Sequence, residues 1–336
     1  MSFLVQEQVA LAPKTTLKTG GNAAFFTEVT TVDELEKAVS FAQEKGLPFY
    51  VLGGGSNLLV SDAGYAGLII RMAILGRDYG QTQADTQELT VFAGENFDAV
   101  VAETTTRGLW GLENLSSIPG SVGATPVQNV GAYGVEVADI IPRVTAFDVE
   151  TKKIITMLNT DCLFSYRHSI FKDKKNYIIV SVTFLLSVKP NPKLTYADLA
   201  KLEVAMQTPL SIRDRVIAIR ANKFPDWNLV GTAGSFFKNP IITVANVNVL
   251  LQKYPDIPTY PELFGKVKLS LGYILDTVCG LKGFAVGNVR LYEKQALVLV
   301  AGSGATTTDI KNFKKIISDA VFLKTGITIE QEVTEI

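Results

Sequence analysis

The sequence predicts an α+β protein of more than one domain, and three observations carry that reading. The chain has 336 residues, 47% hydrophobic and 19% charged, enough to bury more than one core. Its hydrophobic period changes along the chain, from a helix and buried strand near the N-terminus to a run of short strands from about residue 72 to 190. A strand, helix, strand unit then closes the sequence between Gln295 and Glu330.

Residues 31 to 46 place Thr31 and Glu34 in capping-box register and Val32, Leu35, Ala38, Val39 and Ala42 on one face, and they stop at Gly46. Leu47 to Leu52 reads as a buried strand, followed by Gly53-Gly-Gly-Ser-Asn57 and the apolar stretch Gly67 to Arg71. Strands are expected at Leu89–Ala93, Val144–Val149 and Tyr177–Leu185, with a helix around Phe97 to Arg107. Pro190-Asn-Pro192 marks a break, and a helix is expected over 211 to 223 with Ile212, Val216 and Ile219 inward. The last unit runs from the strand Gln295–Val300 through a helix with Ile310, Phe313, Ile317 and Val321 inward to a strand at Ile327–Glu330. Gly302-Ser-Gly304 reads as the helix-entry turn, with Thr306 to Thr308 and Asp309 as its cap.

Charge and composition exclude several function classes. Lys and Arg number 32 against 33 Asp and Glu, a net charge of -1, so no global field gathers nucleic acid or anionic lipid. No basic and apolar leader opens the chain, and no apolar run approaches the roughly 20 residues that span a bilayer; a cytoplasmic protein without nucleic-acid or membrane partners is expected. Cys162 and Cys279 have neither zinc nor disulfide spacing and read as buried free thiols. His168 is the single histidine, so a metal centre is not expected.

Two glycine-rich segments suit a dinucleotide. Gly53, Gly54, Gly55, Ser56 and Asn57 follow a buried strand and offer successive backbone amides with almost no side chain in the way. The second segment, Ser116 to Gly134, is too long and irregular for a compact domain unless it binds something. Both also read as plain turns, and neither matches GxGxxG or a P-loop, which disfavours a Rossmann or NTPase fold.

Four motifs occur in order: Gly53-Gly-Gly-Ser-Asn-Leu-Leu59, Ile118-Pro-Gly to Gly131-Ala-Tyr-Gly134, Phe164-Ser-Tyr-Arg-His-Ser-Ile-Phe-Lys172 and Gly234-Ser-Phe-Phe-Lys-Asn-Pro240. With them the chain resembles the UDP-N-acetylenolpyruvoylglucosamine reductase (MurB) family of peptidoglycan precursor synthesis, from about Leu17 to Val333. Leu194-Thr-Tyr-Ala-Asp-Leu199 is similar to the substrate-covering loop of one subtype. The resemblance implies an α+β fold with a vanillyl-alcohol-oxidase-like two-part FAD-binding module (1–71 and 72–222) and a smaller α/β domain (223–336) for a UDP-sugar. FAD is expected to be held non-covalently by Gly53, Gly54, Gly55, Ser56, Asn57, Ile118, Pro119, Gly120, Gly123, Ala124, Gln128, Asn129, Gly131, Ala132, Tyr133 and Gly134. Tyr196, Arg220, Lys223, Asn239 and Gln295 are expected to hold the UDP-sugar, as a cation and neutral donors suited to phosphate oxygens.

The implied reaction has two halves, hydride passing from NADPH to FAD and then to an enolpyruvyl double bond whose neighbouring carbon is protonated. By resemblance Ser235 is the proton donor, Arg167 grips the enolpyruvyl carboxylate with its planar guanidinium, and Glu332 acts at the enolate side. Taken alone, Ser235 is a turn residue, Arg167 a surface ion pair and Lys223 a solvated helix end. Glu330 shares a strand face with Glu332, so periodicity does not separate them; Thr334 stands where the family carries a basic residue. His168 is read as structural, and it points away from Arg167 if the segment is extended. Two other functions stay open at this point: a flavin oxidoreductase of the same fold with another substrate, and a non-catalytic UDP-sugar or flavin binding protein. A monomer is expected.

Overall fold

A computed structural model describes residues 3–203 and 207–336. The chain divides into two compact units, one of Met1–Val9, Ala23–Gly55 and Ala66–Arg220, the other of Ala10–Asn22, Ser56–Tyr65 and Ala221–Ile336.

In the first unit the helix Val32–Glu44 forms where its pattern predicts. Thr31 accepts from the Glu34 amide, while the Glu34 carboxylate reaches back to the Thr30 amide at 2.7 Å, one residue earlier than a capping box. Leu35, Ala38, Val39 and Ala42 are buried, and Gly46 at φ +63 lets the chain turn so that Leu47 N–H reaches Ala42 C=O. The chain then enters Phe49–Leu52, which pairs parallel with Tyr65–Met72 in a four-stranded sheet. The second sheet is antiparallel, in the order Lys153–Leu158, Arg143–Asp148, Tyr177–Ser187, Thr86–Phe92, Arg77–Gln83. Residues 178 to 184 of its central strand are all buried, as a strand covered on both faces must be. Phe97, Phe147, Val182 and Phe184 belong to a continuous core with the helix Val32–Glu44, and fully burying each such side chain is worth about 1.5–3 kcal/mol.

Asp98, in the first turn of the helix Phe97–Thr106, joins three parts of this unit. It takes both terminal nitrogens of Arg213 at 2.6 and 3.0 Å and the Ser117 amide at 2.5 Å. Burial pushes its carboxyl upward, but Arg213, the Ser117 amide and the nearby charge of Arg220 outweigh this and hold it below the usual range.

The second unit contains the antiparallel sheet Gly231–Ser235, Gln295–Ala301, Val289–Tyr292, Ala285–Val286, with the helix Thr307–Thr325 in the same core through Ile310, Phe313, Ile317 and Val321. The expected cap is made by Thr306 and Asp309, which form a capping box. The sequence reading does not foresee that Asp62 also accepts the Thr307 and Thr308 amides, each at 2.8 Å. Nor does it foresee the three-stranded sheet Ile241–Thr243, Lys266–Leu269, Thr259–Glu262, or the π-helical turn Ile274–Val278.

Three expectations are corrected. Residues Ile327 to Glu330 are extended but form no regular strand: Ile327, Ile329 and Val333 enter the core in alternation, while backbone pairing is confined to one bridge, Phe237 with Gln331. A short parallel pair, Thr334–Glu335 with Leu58–Leu59, follows. Cys162 is buried, which with Asp161 pushes its thiol up to about 12, but Cys279 is only half-buried. Ser165 to His168 is a tight turn closed by Ser165 N–H to His168 C=O (3.1 Å) and the reverse (3.0 Å), with Arg167 at φ +55, so the segment is not extended. Among the described residues no helix is long and apolar enough to cross a membrane.

Replacing Asp98 by Asn is expected to destabilise the protein by about 1–3 kcal/mol at pH 7, the worth of hydrogen bonds to a charged group. Because the folded carboxyl titrates below its unfolded value of about 4, its contribution is complete above that pH and disappears as pH falls through the folded value. Urea titrations over a falling pH series should therefore show the full gap between wild type and Asp98→Asn at pH 7 and a gap that shrinks as pH drops below about 4.

Candidate active site

In the first unit the two glycine-rich segments meet. A Cβ on Gly53 would lie 2.3 Å from Ser121 Oγ, and one on Gly54 would lie 2.7 Å from Gly120 Cα. The strand Phe49–Leu52 delivers the first segment, and Phe97 N–H to Gly120 C=O and Val122 N–H to Glu95 C=O fix the second. Gly55 is buried at φ +66, and the amides of Gly54 and Gly55 donate to no partner among the described residues. Adjacent amides of this kind are the donor set that a pyrophosphate requires, so the site fits FAD.

The remaining expected cofactor residues divide by what their side chains do. Asn129 is buried, with its amide nitrogen on Glu136 (2.6 Å) and the Ser165 carbonyl (3.2 Å) and its oxygen on the Ala138 amide (3.0 Å). Any contact it makes with a cofactor falls to its backbone. Gly131 offers its carbonyl to Arg167 Nη2 at 2.9 Å, which brings the expected carboxylate clamp onto the second glycine-rich segment. The Ser165–His168 turn carries Arg167 there, while His168 bonds to Asp173 at 3.1 Å. Tyr133, at φ +52, packs edge to face with Tyr196, ring centroids 4.9 Å apart. Arg220, expected to bind substrate, donates to the Ser117 carbonyl at 3.2 Å; burial lowers its pKa against the opposing effects of Tyr133 and Asp98. In this unit its guanidinium therefore braces the second segment.

In the second unit Ser235 ends the edge strand Gly231–Ser235, whose register against Gln295–Ala301 shifts between Thr232 and Ser235. Gly234, at φ +73, makes this irregularity, a device that re-aims a side chain. The following Phe236 and Phe237 are buried edge to face, which holds Ser235 in place. The C-terminal segment runs antiparallel beside them, with Glu332 N–H on Phe236 C=O (2.8 Å) and Lys238 N–H on Glu330 C=O (2.9 Å). Glu330 is 74% exposed and paired with Lys238 at 3.1 Å, whereas Glu332 is half-buried. Asn57, expected at the cofactor, brackets the same segment by donating to the Glu332 carbonyl (3.4 Å) and accepting from Thr334 N–H (3.1 Å).

Asn239 and Gln295 have their amide oxygens set by backbone donors, Leu271 N–H at 3.0 Å and Leu297 N–H at 3.3 Å. Lys223 is the last residue of the helix Pro209–Lys223, a position where a cation is favoured. The sequence reading missed Asp98; a buried polar residue declares itself only when its partners, distant in sequence, are known.

An FAD-binding domain model matches residues 23–157, and the model of the UDP-N-acetylenolpyruvoylglucosamine reductase C-terminal domain matches 225–336. Curated relatives of that name include one from Neisseria gonorrhoeae, 39% identical with 98% of this chain and 96% of the relative covered. Another, from Dechloromonas aromatica, is 40% identical with 96% and 97% covered. The crystal structure of the Thermus caldophilus enzyme (MurB) superposes with a TM-score of 0.71 at 26% identity, covering 99% of each chain. Fold and glycine-rich cradle define an FAD-binding oxidoreductase of the α+β class. The chain belongs to the UDP-N-acetylenolpyruvoylglucosamine reductase family.

The glycine contacts make opposite forecasts for neighbouring positions. Gly53→Ala meets a hydroxyl that Ser121→Ala removes, so that pair should recover much of the bound FAD, read as visible absorbance of the purified protein. Gly54→Ala meets backbone at Gly120, and no second-site change of Ser121 should restore its flavin.

Proposed function

We propose that this chain reduces the enolpyruvyl group of UDP-N-acetylglucosamine enolpyruvate with electrons from NADPH, giving UDP-N-acetylmuramate, as a cytoplasmic monomer. Residues 1–71 and 72–222 serve the flavin and 223–336 the UDP-sugar. FAD, when bound, supplies the hydride-transfer chemistry. The observation that carries the reading is the pairing of the Ser235–Lys238 segment with Glu330–Glu332, which gives the two rival carboxylates different surroundings.

Ser235 Oγ donates a proton to the carbon beside the one that receives hydride. A hydroxyl is normally a feeble acid, but the carbanionic carbon it faces is a strong base. Arg167 holds the substrate carboxylate, its planar guanidinium presenting two parallel donors. The Gly131 carbonyl supports its orientation. Glu332 acts on the enolate side, its backbone fixed by Phe236 and Asn57. Glu330 is a structural partner of Lys238, which supports Glu332 as the working carboxylate. Tyr196, Lys223, Asn239 and Gln295 receive the diphosphate, the last two with their amide oxygens held by backbone donors. Arg220 supports the same site.

The test is anaerobic. Protein reduced by NADPH is mixed with UDP-N-acetylglucosamine enolpyruvate while flavin absorbance is followed, and return of the oxidised spectrum without oxygen is the expected result. A flavin that stays reduced would assign another substrate. Ser235→Ala should leave reduction by NADPH fast and slow reoxidation by several orders of magnitude; equal slowing of both halves would remove Ser235 from proton donation. Glu332→Gln should damage reoxidation far more than Glu330→Gln, and the reverse order would exchange their roles.

A further inference from the structure

Asn114 lies in the short 3-10 turn Glu113–Leu115, fully buried. The turn is pinned by the Gly111 amide on the Glu113 carboxylate and by Ser116 Oγ on the Glu113 carbonyl, both at 2.6 Å. From there the Asn114 side-chain nitrogen donates to two carbonyls at once, Tyr133 C=O and Lys193 C=O, each at 2.8 Å. Both partners are acceptors only, so the orientation of the amide is settled by them. Its oxygen is buried without a hydrogen-bond partner among the described residues.

Those donors tie the end of the second glycine-rich segment to the root of the loop that carries Tyr196. The same two stretches touch twice more: a Cβ on Gly134 would lie 2.4 Å from Thr195 Oγ1, and the Tyr133 and Tyr196 rings meet edge to face. Beyond Tyr196, Leu199 is buried in a cluster with Trp110, Ile212, Val216 and Ile219. The loop is thus fastened on both sides of Tyr196, by a polar tether before it and an apolar plug after it.

We propose that Asn114 is a positioning residue for the substrate site, holding Tyr196 where it meets the UDP-sugar by fixing the Lys193 and Tyr133 carbonyls relative to each other. This rests on the reading of Tyr196 as a substrate-binding residue. Asn114 takes no part in the chemistry, so its loss acts on substrate affinity through Tyr196.

The experiment is a double-mutant cycle of Asn114→Ala and Tyr196→Ala, with KM for UDP-N-acetylglucosamine enolpyruvate, kcat, FAD content and thermal midpoint measured for each holoenzyme. Asn114→Ala should raise KM roughly tenfold, about the effect of losing one to two net hydrogen bonds, with smaller change in kcat and near-stoichiometric FAD. In the Tyr196→Ala background the same substitution should add almost nothing to KM. Asn114→Ser, which keeps one donor, should fall between, and Asn114→Leu, close in shape and without donors, should match Ala. A raised KM in Tyr196→Ala with unchanged KM in all Asn114 variants would overturn the tether alone. Unchanged KM in Tyr196→Ala would overturn the reading of Tyr196 beneath it. Loss of FAD in all three Asn114 variants would also overturn the tether, because it would assign Asn114 to the flavin segment.

Discussion

The larger unit is organised by how closely two stretches of backbone approach, Gly53–Gly54 against Gly120–Ser121. Atoms of a side chain at either glycine would occupy the space the other segment fills, and without this approach the amides that follow would not be gathered in one place. Around the contact the unit is stiffened from several directions. The Phe97 and Val122 amides lock the second segment to neighbouring backbone. Asp98 takes the Ser117 amide and clasps Arg213, and Arg220 takes the Ser117 carbonyl. These polar groups are partly buried, where a hydrogen bond is stronger and an unmade one more costly than in water.

A comparable economy governs the second unit. One bridge, Phe237 with Gln331, and the two amide bonds flanking it set the register of the C-terminal segment against the Ser235 strand. The segment needs no full ladder, because Ile327, Ile329 and Val333 fix its face by burial. Register then separates the two carboxylates: Glu330 falls beside Lys238, whereas Glu332 falls opposite Phe236. A slip of one residue would turn the two carboxylates into the core and the isoleucines to solvent.

Much of the fold was legible in the residues. The helix Val32–Glu44 carried its cap, its apolar stripe and its stop, and each is local. The helix Thr307–Thr325 and the strands Tyr177–Ser187 and Gln295–Ala301 were equally plain, their apolar periods long enough to rule out the alternative. The strand expected at Ile327–Glu330 had the correct alternation, but alternation reports which side is buried, and a ladder needs a partner strand beside it. The extended reading of the Ser165–His168 segment failed because Arg167 takes a positive φ, which non-glycine residues rarely do and composition does not announce.

For the site, the sequence by itself determined which chemistry is available: glycine-rich loops for a diphosphate, an arginine for a carboxylate, a hydroxyl and two acidic residues near the ends of their motifs. Tertiary structure decided which protein partners these groups engage. It committed Asn129 to the scaffold, set Glu330 on Lys238 and fixed the amide orientation of Asn239 and Gln295. It also brought the segments 10–22 and 56–65 into the C-terminal unit and placed Asn114 between carbonyls 19 and 79 residues away. The reason is physical. Propensity, capping and amphipathic period act within a few turns of chain and are written in neighbouring residues, whereas the partner of a buried polar group is set by where distant backbone is packed.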